Sequence, residues 1–202
     1  MRSDGEATRR RILDAARTEF ADFGLAGARV DRIAVAASAS KERLYAYFGD
    51  KVSLFQQILE LNQHDVVDAI PIDVDDLPEF VGRVFDHTIT HPEHLRMLHW
   101  ARLEGISVLL VDEDRSRLFP EGELLRRAQL DGRIDDEWEP EDLVAMLFGL
   151  ASTWASAPGI FADSGVVVTP EVVARRRASA VRAARKLVQP ATTPRSADRA
   201  RS

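Results

Sequence analysis

The stretch from residue 29 to residue 55, RVDRIAVAASASKERLYAYFGDKVSLF, constrains the fold of this chain more than any other segment. Its pattern predicts two short helices, near 30–36 and 40–47, that are separated by a tight turn. A third helix is expected to begin directly afterwards, at Lys51. Ser40 stands where a side chain caps the second short helix. The segment therefore predicts a compact helix-turn-helix element.

The second short helix has one apolar face and one polar face. Leu44 and Phe48 fall on the same side when successive residues are about 100° apart. The rest of the helix offers charged, aromatic and small side chains, namely Lys41, Glu42, Arg43, Tyr45, Ala46 and Tyr47. A helix that buries one face and presents such groups elsewhere can lie in the major groove of DNA. DNA binding is therefore the function that this element predicts.

Composition excludes several other classes of function. The 202 residues contain no cysteine, so disulfides, thiol catalysis and zinc–thiolate sites are excluded. No segment approaches the roughly 20 apolar residues that span a membrane, and no signal peptide is evident, so we expect a soluble, cytoplasmic protein with no membrane partner. The net charge of −6 is uneven, because residues 1–55 hold ten Lys and Arg against eight Asp and Glu. An acidic body with a mildly basic head fits a protein whose head meets DNA.

The remaining sequence is helical in pattern, which predicts an all-α chain of about nine helices. Beside the short helices, we expect helices at 7–23, 51–69, 78–90, 93–110, 115–131, 140–156 and 170–188. The predicted organisation is an N-terminal three-helix DNA-binding head at 1–50, a C-terminal helical ligand-binding and dimerisation body at 51–189, and a disordered tail at 190–202.

The head resembles the TetR family of one-component transcriptional regulators over about residues 8–55. The match in the first helix comprises Ile12, Leu13, Ala15, Ala16, Phe20 and Gly24. The match in the helix-turn-helix and the following helix comprises Ile33, Ala34, Leu44, Tyr45, Tyr47, Phe48 and Lys51. Two positions depart from the family pattern. Ser38 stands where the turn usually has Gly. Arg29 replaces a Thr that often caps the first short helix, and its guanidinium is a stronger phosphate partner than the Thr hydroxyl.

The resemblance implies a homodimeric repressor that binds a pseudo-palindromic double-stranded DNA operator and responds to a small-molecule effector of unknown identity. The residues expected at DNA are Arg29, Ser40, Lys41, Glu42, Arg43, Tyr45, Ala46, Tyr47 and Lys51. A mostly apolar effector pocket is expected in the body, lined by Phe85, Met97, Trp100, Phe148 and Trp154.

The individual roles at DNA stay open at this stage. Lys51 either clamps a phosphate at the start of its helix or is a solvated helix-end lysine. Tyr47 either donates its hydroxyl to a phosphate or packs its ring at the edge of the motif. Arg43 either recognises guanine or holds a phosphate. Glu42 can accept from cytosine N4, and Ala46 can touch a thymine methyl group, although both residues are also ordinary on a solvated helix.

Two apolar stripes near the C-terminus predict the dimer interface, as a four-helix contact across a two-fold axis. The first comprises Leu143, Met146, Leu147, Leu150 and Trp154, and the second comprises Val173, Ala180, Val181, Ala184, Leu187 and Val188. The alternative is that both stripes only complete the core of one chain.

Four histidines, His87, His91, His94 and His99, cluster in the second half of the chain. The four-residue spacing of His87 and His91 can hold a metal on one helical face, but Pro92 interrupts the helix there, so pocket-lining or surface histidines are the expectation. We predict no cofactor and no metal. No nucleophile–base set or Gly-rich phosphate loop indicates catalysis, and the rival hypothesis is an all-α enzyme or small-molecule carrier with an incidental helix-turn-helix.

Overall fold

The computed structural model describes residues 2–106, 120–157 and 167–190. These residues form nine helices and no strand, which confirms the predicted all-α class. The helices are α1 (Arg2–Gly27), α2 (Val30–Ala36), α3 (Lys41–Phe48), α4 (Lys51–Ala69), α5 (Leu77–Thr90), α6 (Pro92–Leu103), α7 (Pro120–Leu130), α8 (Pro140–Ser156) and α9 (Pro170–Val188). None of them is both long enough and apolar enough to cross a membrane.

The described residues divide into two compact units, and the division falls within α5. The first unit contains residues 2–69 and 87–106, and the second contains residues 70–86, 120–157 and 167–190. The predicted boundary at residue 50 does not coincide with this division. The reason is that α4 and α6 supply Phe55, Ile58 and Met97, all fully buried, to the same apolar core as α1, α2 and α3.

Phe20 and Phe55 lie at the centre of the first unit. Their rings meet edge to face with centroids 5.0 Å apart, and both side chains are fully buried. A polar link crosses this core as well, because Arg17 Nε donates to Asn62 Oδ1 at 2.9 Å and Asn62 Nδ2 donates to the sulfur of Met97 at 3.6 Å. Helices α1, α4 and α6 are therefore joined by both apolar packing and hydrogen bonds.

Gly24 interrupts α1 at the position where the sequence predicts the helix to stop. Its φ of 66° and ψ of −177° are not helical, so α1 is kinked there and a second, short helical segment ends at Gly27. A Cβ atom placed on Gly24 would lie 2.7 Å from the indole ring of Trp100 and 2.6 Å from a carboxylate oxygen of Glu104. The missing side chain lets α6 approach α1 at this point.

Hydrogen bonds and an ion pair hold α6 against the end of α1. Trp100 Nε1 donates to the carbonyl of Ala21 at 3.2 Å, and Glu104 accepts from the amide of Ala26 at 3.2 Å. Arg96 pairs with Asp22 at 3.1 Å. Helix α6 ends at Leu103, earlier than the predicted residue 110, because Gly105 turns the chain with a φ of +68°. The predicted helical residues 107–110 and 115–119 lie outside the described residues.

Arg177 of α9 lies across α5 in the second unit. Its Nε atom donates to both carboxylate oxygens of Asp86, at 3.0 and 2.8 Å, and its guanidinium pairs with Glu79. Gly82 lies between these two acids, and a Cβ atom there would come within 2.7 Å of the guanidinium. The hydrogen bond from Arg177 lowers the pKa of Glu79. This contact fixes α9 on α5.

Helices α8 and α9 pack against each other and bury part of the stripes that predict the dimer interface. Leu143 and Leu147 of α8 are fully buried in the chain itself, and so is Ala184 of α9. The stripe residues Met146, Leu150, Trp154, Val173, Val181 and Leu187 are only half-buried. A different face of α8, comprising Ala145, Phe148, Gly149 and Thr153, is exposed. We call these four residues the open face of α8.

Candidate DNA-binding site

The turn between α2 and α3 adopts the backbone conformation expected from its sequence. Ser38 has a φ of 49°, the left-handed conformation usually given to glycine, and it is the only non-glycine residue with a positive φ among those described. The turn is closed by a hydrogen bond from the amide of Ala39 to the carbonyl of Ala34 at 2.9 Å. Arg11 of α1 donates to the carbonyl of Ala37 at 3.1 Å. Helix α1 therefore supports the turn directly.

The first turn of α3 is capped as predicted. Ser40 has extended backbone, and its hydroxyl accepts from the amide of Arg43 at 3.2 Å. Hydrogen bonds from its own amide and from Ser40 lower the pKa of Glu42. Both alternatives for Glu42, a contact with cytosine N4 and an ordinary place on a solvated helix, stay predictions. Asp50 caps α4 in the same manner, accepting from the amide of Ser53 at 2.7 Å.

Helix α3 buries Leu44 and Phe48 and exposes its remaining side chains, as its pattern predicts. Tyr45 and Tyr47 are 44% and 37% exposed. The Arg43 side chain and the small Ala46 are also exposed, and the Arg43 guanidinium has no hydrogen-bond or charged partner among the described residues. The exposed face therefore offers an arginine, two phenols and a small gap for a methyl group.

The two lysines predicted at DNA both have intramolecular partners. Lys41 forms a surface ion pair with Asp31 of α2. The Lys51 ammonium donates to the carbonyl of Ala28 at 3.1 Å and is half-buried. It thereby ties the start of α4 to the connection between α1 and α2. An ammonium has three donors, so this bond leaves two for a phosphate, and the phosphate contact of Lys51 stays a prediction.

Tyr47 lies beside the first turns of α1. A Cβ atom placed on Gly5 would be 3.3 Å from the Tyr47 hydroxyl, and the Tyr47 ring meets Phe48 with centroids 6.1 Å apart. The geometry is thus compatible with both roles that the sequence left open for this residue. Arg29, at the N-cap of α2, makes no side-chain cap and is exposed, so its guanidinium can reach a phosphate.

Glu19 is a structural residue of the site that sequence reasoning missed. It lies on α1, is 8% exposed, and accepts from the amide of Arg29 at 2.7 Å and from Arg32 Nε at 2.8 Å. Burial raises the pKa of Glu19, but hydrogen bonds from Arg32 and from the Arg29 amide outweigh burial, so the pKa lies below its usual value. Glu19 thus supplies from α1 the acceptor for the N-cap amide of α2, which a Glu or Gln at the position of Arg32 would otherwise supply.

Replacing Glu19 with glutamine should lower the free energy of unfolding by about 1–3 kcal/mol at pH 7, since the charge-assisted bonds are lost. The pKa of Glu19 is lower in the folded protein than in the unfolded chain. At a pH between these two pKa values, the unfolded chain therefore binds more protons than the folded protein does. The wild-type advantage should therefore shrink as the pH falls below about 4.5. Urea unfolding at pH 7 and at about pH 3.5 measures both differences.

Glu60→Gln, a change of an exposed α4 carboxylate, is the matched control for Glu19→Gln and should alter stability little at either pH. The assigned role of Glu19 would be contradicted if the wild type exceeded Glu19→Gln in free energy of unfolding by the same amount at both pH values.

The five residues predicted to line an effector pocket are divided between the two units. In the first unit, Met97 is fully buried and Trp100 is hydrogen-bonded to α1, so both pack helices together. In the second unit, the rings of Phe85 and Trp154 meet edge to face with centroids 6.0 Å apart. Phe148 meets Phe80 in the same manner at 5.6 Å.

Two clefts on the surface of the units are lined by other residues. A cleft of about 510 Å³ on the first unit includes Asp14 and Arg32 in its lining, and a cleft of about 420 Å³ on the second includes Asp75 and Arg133. None of the five predicted pocket residues lines either cleft. The effector pocket therefore stays a prediction.

Comparison with known proteins gives the same assignment for both parts of the chain. Residues 12–58 match the model of the bacterial regulatory proteins of the tetR family, and residues 76–186 match that of the tetracyclin repressor-like C-terminal domain. The HTH-type transcriptional repressor SCO4008 of Streptomyces coelicolor is 40% identical over 154 residues, which cover 75% of this chain and 80% of that protein. The HTH-type transcriptional regulator RutR of Escherichia coli is 27% identical over 178 residues, which cover 82% of each chain.

The fold is shared with solved structures. The crystal structure of SCO4942 from Streptomyces coelicolor, a proposed transcriptional regulator, superposes with a TM-score of 0.79 at 38% identity, covering 90% of this chain and 98% of that one. These relatives do not support the rival hypothesis of an all-α enzyme or carrier. The chain belongs to the TetR family of helix-turn-helix, DNA-binding transcriptional regulators.

Proposed function

We propose that this protein is a cytoplasmic, homodimeric repressor that binds a pseudo-palindromic operator through α3 and leaves it when a small molecule binds. The observation that carries the proposal is the exposed face of α3 on a buried, capped helix-turn-helix core. In support, the 40% identical SCO4008 is named a transcriptional repressor. A dimer places two α3 helices on successive turns of one face of the duplex, about 34–36 Å apart.

In this proposal, α3 enters the major groove and its neighbours hold the phosphate backbone. Arg43, Tyr45 and Ala46 face the base edges, because they occupy the exposed side of α3. Arg29 and Lys51 lie at the starts of α2 and α4, where helix N-termini already favour an anion. Base contacts give specificity, whereas the phosphate contacts fix the register of the head on DNA.

We further propose that the open face of α8 lies in the dimer interface. The Thr153 hydroxyl bonds to the carbonyl of Gly149 at 2.8 Å, and the Ser152 hydroxyl bonds to that of Phe148 at 2.9 Å. These groups are satisfied within their own helix, so a second helix can pack over them without leaving a polar group unpaired. A Cβ atom on Gly149 meets no atom of the described residues within 4 Å, which leaves room for the partner subunit.

Light scattering during gel filtration tests the dimer. At micromolar concentration, the wild type should have twice the mass of one chain, and Gly149→Glu should have the mass of one chain because it places a charge in the interface. Gly149→Ala is the matched control and should stay dimeric, and all three proteins should keep the same helical circular dichroism. Wild-type protein with the mass of a single chain that still binds operator DNA would contradict the proposal.

The effector is proposed to be mostly apolar, because the aromatic groups predicted to contact it outnumber the polar ones. Phe85 and Trp154 are the predicted pocket residues that the second unit brings together. A ligand that releases DNA must bind the DNA-free conformation more tightly, so a saturating operator should weaken its binding by the same factor.

A further inference from the structure

Three of the four clustered histidines come together where α5 ends and α6 begins. Pro92 does break the helix, as the sequence indicates, but the break turns the chain so that His94 faces His87. Their Nε2 and Nδ1 atoms are 3.1 Å apart. The ring of His91 lies 4.7 Å from that of His87 and 5.1 Å from that of His94, measured between centroids. The proline thus assembles the cluster.

Metal-ligating atoms of three of these residues converge on one point. His91 Nδ1 lies 3.4 Å from Glu93 Oε1, and His94 Nε2 lies 3.9 Å from the same oxygen. One ligand atom from each of the three lies within 4.8 Å of the others. Zinc–ligand bonds of about 2.0–2.2 Å in a tetrahedral site place neighbouring ligand atoms about 3.3–3.6 Å apart. Small rotations of the exposed His91 and half-buried Glu93 side chains bring the observed distances between ligand atoms to those of a zinc site.

The surroundings orient His94 for this role. The residue is 6% exposed, and its Nδ1 atom faces His87, which leaves Nε2 directed to the Glu93 carboxylate. A histidine that binds metal through one ring nitrogen is usually held by a hydrogen bond at the other. The positive charge of Arg17 lies near His94. Arg17 itself lies 3.6 Å from the carboxylate of Asp65, which offsets its charge.

We propose that His91, Glu93 and His94 form a binding site for a divalent transition metal, with Zn²⁺ as the best match, and that His87 positions His94. Two imidazoles and one carboxylate suit zinc and its neighbours, whereas magnesium and calcium prefer all-oxygen sites. Three protein ligands leave a fourth coordination position for water or for a ligand. The site lies outside the helix-turn-helix, so it is independent of the proposed operator contacts.

Zn²⁺ titration of the untagged, metal-stripped full-length protein tests this proposal. Isothermal calorimetry should show one Zn²⁺ per chain with a dissociation constant in the micromolar range or below. His91→Gln changes an exposed side chain and Glu93→Gln keeps the size of a half-buried one, so both should fold normally, and each should weaken binding at least tenfold. His87→Gln should weaken it about 10- to 100-fold through the loss of positioning.

Two further measurements separate this site from chance binding. His99→Gln is the matched control, because His99 lies on the same helix as Glu93 and His94 but is not one of the proposed ligands. It should bind Zn²⁺ as the wild type does. Co²⁺ should give visible absorption bands of tetrahedral type in the wild type, and these should disappear in His91→Gln. No binding to the wild type, or equal Zn²⁺ affinity in the wild type, His91→Gln and Glu93→Gln, would overturn the proposal.

Discussion

Replacing Gly24 with alanine should lower the free energy of unfolding by about 3 kcal/mol or more, the largest stability effect that we expect from a single methyl group in this chain. The backbone at Gly24, with φ 66° and ψ −177°, belongs to a region that is almost restricted to glycine. In addition, the new Cβ atom would come 2.7 Å from the Trp100 ring. The hydrogen bond from the indole to Ala21 prevents that ring from moving aside without loss.

Gly105→Ala is the control for the cost of a positive φ without a close Trp100 ring. Gly105 also has a positive φ, of +68°, but a Cβ atom there would meet no atom within 4 Å among residues 2–106, 120–157 and 167–190. This control should therefore cost only about 1 kcal/mol. Thermal and urea unfolding of both variants measure the difference, and for a chain of this size we expect the melting temperature of Gly24→Ala to fall by about 10 °C. Equal losses in the two variants would show that the approach of Trp100 to α1 does not depend on Gly24.

Replacing Arg43 with alanine should weaken operator binding by about 10- to 100-fold per half-site. Among the cations at the head, Lys41 is paired with Asp31 and Lys51 is bonded to Ala28, whereas the Arg43 guanidinium has no such partner in the described part of the chain. Arg43 is therefore the α3 cation that can meet DNA without first giving up a contact. Fluorescence anisotropy with labelled operator duplexes measures the loss.

Arg126→Ala is the matched control, because it removes the same charge from the exposed surface of α7. It should change operator affinity little. Variant duplexes then distinguish the two roles of Arg43: relaxed specificity at one base pair indicates base recognition, and an equal loss on every duplex indicates a phosphate contact. If Arg43→Ala bound operator as tightly as Arg126→Ala does, Arg43 would have no role at DNA.

Much of the head was predictable from the sequence because its determinants are local. The cap at Ser40, the cap at Asp50 and the left-handed turn at Ser38 each depend on residues within three positions. The apolar face formed by Leu44 and Phe48 follows from helical periodicity. Such short-range preferences do not require tertiary contacts, so they can be recognised in the sequence itself.

Contacts between distant parts of the chain were not predictable. Glu19 and its partner Arg32 are 13 residues apart on different helices, and Arg177 is 98 residues from Glu79. The position of Met97 in the core of the first unit also depends on tertiary packing. Its sequence context alone therefore led us to predict it in the lining of the effector pocket. At the histidines, the sequence revealed the break at Pro92 but not the direction in which the chain turns.

Selection of DNA ligands from a random duplex library by the full-length protein tests whether a pair of α3 helices recognises one operator. We expect enrichment of one pseudo-palindrome whose half-sites lie about one helical turn, or a multiple of it, apart. Binding to it should be at least about 10³-fold tighter than to unrelated DNA at physiological salt, and Arg43→Ala should bind the selected sequence more weakly than the wild type does. Recovery of no common sequence, or of a motif without two-fold symmetry, would contradict recognition of an operator by a pair of α3 helices.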